Sequence, residues 1–382
     1  MKISIVSRFQ IKKSYLLLLA GLSILVSCHN NSTLQTAAVT KQSHFARGFT
    51  INKFDGYREL IVFSPWSKTD TLAHFFIVRH TDVIPEHIPL EKVLRTPLQR
   101  IVALSSTQWG PLISLGETEK VVAVSESRFI SNPIMKKAVA EGVVADVAGE
   151  GRYNIEKMLL LNPDLILYSP NPTGMPSVLE QAAVQRIPWT DYFENHPLGR
   201  AEWINLLGLL VDKEQAAQHI FDSIAFEYLQ LSELTATLKK RPTVFADKAF
   251  AGQWYVPGGK SYMACLFHDA GADYVFAHLD SEASVPLDIE TIFSKAGQAD
   301  FWRIAQSAPA GYSYNTLKAE NELYSSFSAF KKQQIVFCNT AETGYFESGA
   351  LEPQKMLADL IAVFHPELIQ NHKASYYKLL EP

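Results

Sequence analysis

Two short segments of one form stand in different halves of the chain, Asn154-Ile155-Glu156 and Asp288-Ile289-Glu290. Each sets a residue able to cap a helix two places before a glutamate, and each leads into an apolar helix and then a strand. The turns that follow match too, Asn162-Pro163-Asp164 in one and Gln298-Ala299-Asp300 in the other. A carboxylate in a first helical turn complements the helix dipole, worth about 0.3–1 kcal/mol. That accounts for a carboxylate at either site but does not by itself explain the same device used twice. Catalytic spacings are missing. The sequence holds no GxSxG, HExxH, phosphate-loop or GxGxxG pattern, no CxxC and no zinc-type cysteine spacing. His74, His80, His87, His196, His268, His278 and His365 are scattered, so neither a directly bound metal nor a cofactor is expected. These residues describe a binder rather than an enzyme. The competing readings are a hydrolase-like enzyme on an α/β scaffold and a surface adhesion lipoprotein.

The stretch from Arg200 to Arg241 organises the elements that must position these groups. Apolar residues recur at Trp203, Leu206, Leu207 and Leu210, then at Ala217, Ile220, Phe221, Ile224, Tyr228, Leu231, Leu234 and Leu238. Steps of three and four give one apolar helical face. Asp212 with Gln215 reads as a capping box, and Lys239, Lys240, Arg241 and Pro242 as a helix end. A helix from Asp212 to Lys240 would run roughly 40 Å at about 1.5 Å per residue. Short buried strands alternate with helices on both sides of it. Ile101 to Leu104, Val121 to Val124 and Leu165 to Tyr168 precede it; Thr243 to Ala246, Phe301 to Ile304 and Ile335 to Phe337 follow. That alternation indicates parallel βαβ units in two lobes, with the long helix as a strut between them.

The chain's 382 residues allow two or three domains, and 47% hydrophobic with 19% charged residues is a globular composition. A net charge of -4 gives no reason to expect nucleic acid. Arg8, Lys12 and Lys13 precede an apolar run from Tyr15 to Leu22, the form of a secretory signal. The run ends in Leu25-Val26-Ser27-Cys28, which resembles a bacterial lipobox. Cys28 is therefore the expected lipidation site, with His29 to Gln42 as a polar tether and the domain outside the cytoplasm. Cys265 and Cys338 sit in apolar surroundings and read as two buried thiols or as one disulfide. From Ala46 to His80 the pattern is β, with Asp55-Gly56 as a hairpin turn and about three strands; Val83 to Pro97, with its prolines, reads as a connector.

Arg100-Ile101-Val102-Ala103-Leu104-Ser105 with Val121-Val122-Ala123-Val124-Ser125 resembles the opening of the periplasmic substrate-binding proteins of iron-siderophore, haem and cobalamin ABC importers. Asn154 through Leu167, Tyr255 through Ser261 with Ala270-Gly271-Ala272, and Leu351 through Leu368 resemble later parts of that family in the right order. The resemblance spans roughly Arg100 to Gln370. It implies an α/β fold of two Rossmann-like lobes joined by one long helix, with the ligand cleft between the lobes and a small N-terminal β meander outside the family pattern. The implied divisions are 1–28 signal peptide, 29–98 tether and β extension, 99–199 first lobe, 200–241 linking helix and 242–382 second lobe. It further implies a monomer without catalysis that delivers a metal chelate to an ABC permease dimer, with Glu156 and Glu290 docking on that permease. Loops at the facing strand ends then carry the candidate ligand contacts Ser105, Thr107, Trp109, Arg128, Arg152, Tyr153, Tyr192, Trp254, Tyr255 and Tyr314, alongside Gln108, Ser125, Asp191, Ser284 and Tyr312. Aromatic faces with few polar groups suit a large ringed ligand, and Arg128 or Arg152 could pair with its carboxylates. His278 is a further axial-ligand option for a haem or corrin.

Overall fold

A computed structural model describes residues 39–41, 45–67, 69–149, 152–172, 176–180 and 183–382. The apolar N-terminal run, Cys28 and most of the tether lie outside the described residues.

Two separate five-stranded sheets form the two lobes. In the first, the strands lie in the order Gln185–Pro188, Leu165–Tyr168, Ile101–Ala103, Val121–Val124, Ala145–Asp146, all parallel. Every residue of its three central strands is buried, as a sheet covered on both faces requires. Alternation divides them: Ile101, Ala103, Leu165 and Leu167 pack into the main core, while Val102, Val122, Ile166 and Tyr168 pack into a second cluster on the other face. In the second lobe the order is Asp273–Tyr274, Thr243–Ala246, Phe301–Gln306, Ile335–Asn339, with Lys378–Leu379 added antiparallel at the edge. A small antiparallel sheet of Ala249–Phe250, Gln253–Val256 and Val285–Leu287 stands beside it.

The linking stretch differs from a single rod. It comprises helices Pro197–Glu202 and Ile204–Leu210, then one of 23 residues, Glu214–Ala236. The last is roughly 34 Å long at 1.5 Å per residue. Asp212 does not cap it. Its backbone is left-handed (φ 60) and its carboxylate pairs with Arg79 at 2.7 Å, so Lys213 takes the cap position without a side-chain bond. At the other end Arg241 turns to Asp273, at 3.5 Å, instead of extending the helix. Ala217, Phe221, Ile224, Ala225 and Tyr228 are buried at helical spacing, but Leu234 is 45% exposed, so the apolar face leaves the core near the C-terminal end. The helix packs on Ile204–Leu210 and on the second lobe's Pro353–Phe364.

The N-terminal region is a five-stranded sheet: Val39–Lys41, Phe49–Phe54, Tyr57–Phe63, Thr71–Arg79 and Val93–Thr96. Gly56 (φ 77) makes the hairpin turn read from Asp55-Gly56. The supposed connector supplies the last strand, parallel to Thr71–Arg79, because Leu94 and Thr96 alternate inward. Two carboxylates fasten the segment between the first two strands of this sheet to the first lobe. Glu202 accepts the amides of Phe45 and Ala46, both at 2.8 Å. Glu194 accepts those of Arg47 at 2.9 Å and Gly48 at 2.8 Å, and the Trp203 indole at 3.0 Å. A Cβ on Gly48 would stand 2.7 Å from both Thr190 Oγ1 and the Trp203 ring, so glycine is what permits this approach.

Candidate ligand site at the lobe junction

Strand Ile101–Ala103 ends in Ser105, which opens helix Ser106–Ser114 in a capping box with Gln108. The cap aims the next turn at the junction, where Thr107 Oγ1 donates to Asp191 at 3.2 Å. Asp191 sits just past strand Gln185–Pro188, where the ends of parallel strands place polar groups. Arg200 projects from helix Pro197–Glu202 and lies 3.4 Å from the Asp191 carboxylate. Its guanidinium stands 5.6 Å from the ring centre of Tyr192 and 5.5 Å from that of Tyr262, the first residue of helix Tyr262–Asp269 in the second lobe. A cation thus sits between one aromatic face from each lobe.

Burial pushes the Asp191 carboxyl above its usual range against the opposing pull of Arg200. Burial would lower the Arg200 guanidinium, but Asp191, Tyr262 and Tyr345 outweigh it and hold the charge. Three buried polar atoms nearby in sequence lack partners among the described residues: Gln108 Nε2, Trp189 Nε1 and Thr190 Oγ1. Unsatisfied buried groups are rare and call for a water or a ligand.

The lobes touch beside this group. Ser106 Oγ donates to the Phe346 carbonyl at 2.6 Å, and Ser131 donates to Glu347 from its amide (2.5 Å) and its hydroxyl (2.6 Å). Deeper in the second lobe, Arg303 pairs with Asp247 at 2.7 Å and donates to Tyr377 at 2.7 Å and Tyr345 at 3.2 Å. Next to the junction, Arg47, Trp66, Thr190, Phe193, Glu194 and Glu282 line a cavity of about 490 Å³. Trp66 meets Phe193 edge-on at 5.2 Å, and Phe193 meets Tyr192 at 5.5 Å, so an aromatic row leads from the N-terminal sheet to Arg200.

The sequence candidates divide. Ser105, Thr107, Asp191 and Tyr192 come together here. Trp109, Trp254 and Tyr314 do not: they are 2%, 0% and 7% exposed. Trp254 donates its indole to Ala246 at 2.9 Å, and the Tyr314 hydroxyl accepts the Ile335 amide, so these three are packing residues. Arg128 is exposed over its neighbour Phe129 and beside Glu126, and Arg152 and Tyr255 are exposed elsewhere. Tyr153 is half-buried against the second core cluster. Arg200 and Tyr262 were missed. The available signal for Arg200 was a charged residue, with Glu202 two places on, in an otherwise apolar helical run. Cys265 and Cys338 are free thiols.

The profile of the periplasmic binding protein family matches residues 101–341. The chain belongs to the periplasmic binding protein family. Its members are solute binders rather than enzymes, as the missing catalytic spacings led us to expect. An uncharacterized lipoprotein of Methanocaldococcus jannaschii is 28% identical over 298 residues, covering 75% of this chain and 70% of its own. Among solved structures, a periplasmic heme binding protein from Pseudomonas aeruginosa aligns with a TM-score of 0.59 at 18% identity, over 75% of this chain and 99% of that one. The periplasmic vitamin B12 binding protein BtuF of Vibrio cholerae aligns at 0.52 and 20%, over 72% and 99%. These likenesses establish the two-lobe fold. Glu156 and Glu290 of this periplasmic binding protein are both exposed, in the first turns of helices Ile155–Leu160 and Ile289–Ala296. Asn154 caps the first by accepting the Lys157 amide at 2.9 Å, and Asp288 caps the second by accepting that of Thr291 at 2.6 Å.

Proposed function

We propose that this protein captures a metal chelate of the ferric siderophore, haem or cobalamin class between its lobes and delivers it to an ABC importer. The observation that carries this is Arg200, held between Tyr192 and Tyr262 with its ion-pair partner below it. That arrangement offers a fixed cation for a ligand carboxylate and two rings for its planar parts. The unpaired Gln108, Trp189 and Thr190 atoms belong to the same segments that carry Thr107 and Asp191. Glu156 and Glu290, one on each lobe, dock a permease dimer. Diacylated Cys28 anchors the monomer outside the cytoplasm, a reading supported by the lipoprotein relative.

The test is to identify by mass spectrometry whatever co-purifies, then to titrate hemin, cyanocobalamin and ferric siderophores while following tryptophan fluorescence. Arg200→Met should weaken the ligand that binds by at least tenfold, the range of a lost charge-assisted bond. Unchanged affinity would move the site away from the junction.

A further inference from the structure

One turn along helix Tyr262–Asp269 from the Tyr262 ring that Arg200 meets, three side chains of mixed chemistry converge. One ligand-capable atom each from His196, Cys265 and Asp269 lies within 4.8 Å of the other two. Cys265 and Asp269 are one helical turn apart on the same face, and His196 comes from the segment leaving the first lobe. We propose that these three residues form a transition-metal site, distinct from the chelate site, with zinc as the fitting ion.

The donor set argues for the ion. Thiolate, imidazole and carboxylate together suit zinc, whereas magnesium and calcium take oxygen ligands. At bond lengths of about 2.0–2.3 Å a tetrahedral ion separates its ligands by roughly 3.5 Å. The Cys265 Sγ to Asp269 Oδ2 distance is already 3.7 Å. Outer contacts hold the set: Tyr228 donates to Asp269 Oδ2 at 2.6 Å, and His268 Nδ1 lies 3.2 Å from Oδ1. An open groove of about 680 Å³, lined by His196, Cys265, His268 and Asp273 among others, gives an ion access and leaves a fourth position for water.

Binding has a proton balance. The Cys265 thiol gives its proton to solvent as the metal–sulfur bond forms. His196 ligates through its neutral imidazole. In the metal-free protein the Leu198 amide donates to His196 Nδ1 at 3.1 Å, which leaves the proton on Nε2. The ion must take a ring lone pair, so loading breaks this helix cap, at a cost of about fivefold in affinity.

The test is cobalt titration of the chelator-treated full chain. One equivalent should bind and give the sulfur-to-cobalt charge-transfer absorption of a tetrahedral thiolate site. Cys265→Ser should abolish that band and Cys338→Ser should leave it, while Asp269→Asn and His196→Gln weaken binding at least tenfold. If Cys265→Ser fails to fold, X-ray absorption of the zinc-loaded wild type decides, expecting one sulfur at about 2.3 Å with nitrogen and oxygen neighbours. No cobalt bound at equimolar metal, a bound ion without sulfur, or a band surviving Cys265→Ser overturns the proposal.

Discussion

Glu194→Ala tests how the N-terminal sheet is held. Glu194 accepts three N–H donors, from Arg47, Gly48 and the Trp203 indole. Hydrogen bonds to a charged acceptor contribute about 1.5–3 kcal/mol each, so simple addition gives roughly 4.5–9 kcal/mol. Two corrections reduce it. The Arg47 and Gly48 amides are only partly buried and regain water once freed. The buried carboxylate itself costs energy, since burial raises its pKa against the pull of the Arg47 amide and the Trp203 indole. The indole donor, packed at Trp203 (1% exposed), regains nothing and dominates the loss. A net cost of about 3 kcal/mol remains. With an m-value near 3 kcal/mol per molar urea, the unfolding midpoint should fall by about 1 M. Urea unfolding followed by tryptophan fluorescence measures it. A fall below about 0.3 M would mean that these bonds do not fasten the extension and that aromatic packing does.

Stability should also depend on pH through the same group. A carboxyl raised in the folded state adds stability that is complete below its ordinary 4.5 and is lost as pH rises through the raised value. Wild type should therefore gain stability relative to Glu194→Gln as pH falls from neutrality towards 4.5, and a flat difference in urea midpoints would refute this. Arg303→Met should cost about 3 kcal/mol by stranding Asp247 and two tyrosine hydroxyls, with Asp247→Asn recovering part of it in the same unfolding assay. Glu156→Ala with Glu290→Ala should abolish most ligand uptake by cells while changing ligand affinity less than twofold. A large loss of affinity would place the pair in the binding site instead.

Much of the scaffold was legible because its signals are local. Val121–Val124 and Leu165–Tyr168 are unbroken apolar runs, Asn154 and Asp288 announce their helices, and Pro353–Phe364 begins and ends as its sequence states. The misses share a non-local cause. Asp212 is drawn from its capping role by Arg79, distant in the chain. Val93–Thr96 becomes a strand only because Thr71–Arg79 offers it an edge. Arg200 gains its role from Tyr262 in the other lobe, and His196 meets Cys265 only in three dimensions. A list of loop aromatics could not separate Tyr192 at the junction from Trp254 in the core, because each follows a polar residue and precedes another aromatic.

The hooks at Glu194 and Glu202 have a mechanical consequence. A pull on the chain upstream of Phe45 is shared between strand Val39–Lys41, paired with Phe49–Phe54, and four backbone amides held by the first lobe. Among the described residues, this segment's side-chain pair to the second lobe is Arg47 with Glu282, an ion pair about half exposed on both sides and worth about 1 kcal/mol at most. A leash attached ahead of this point would therefore moor the molecule mainly by one half.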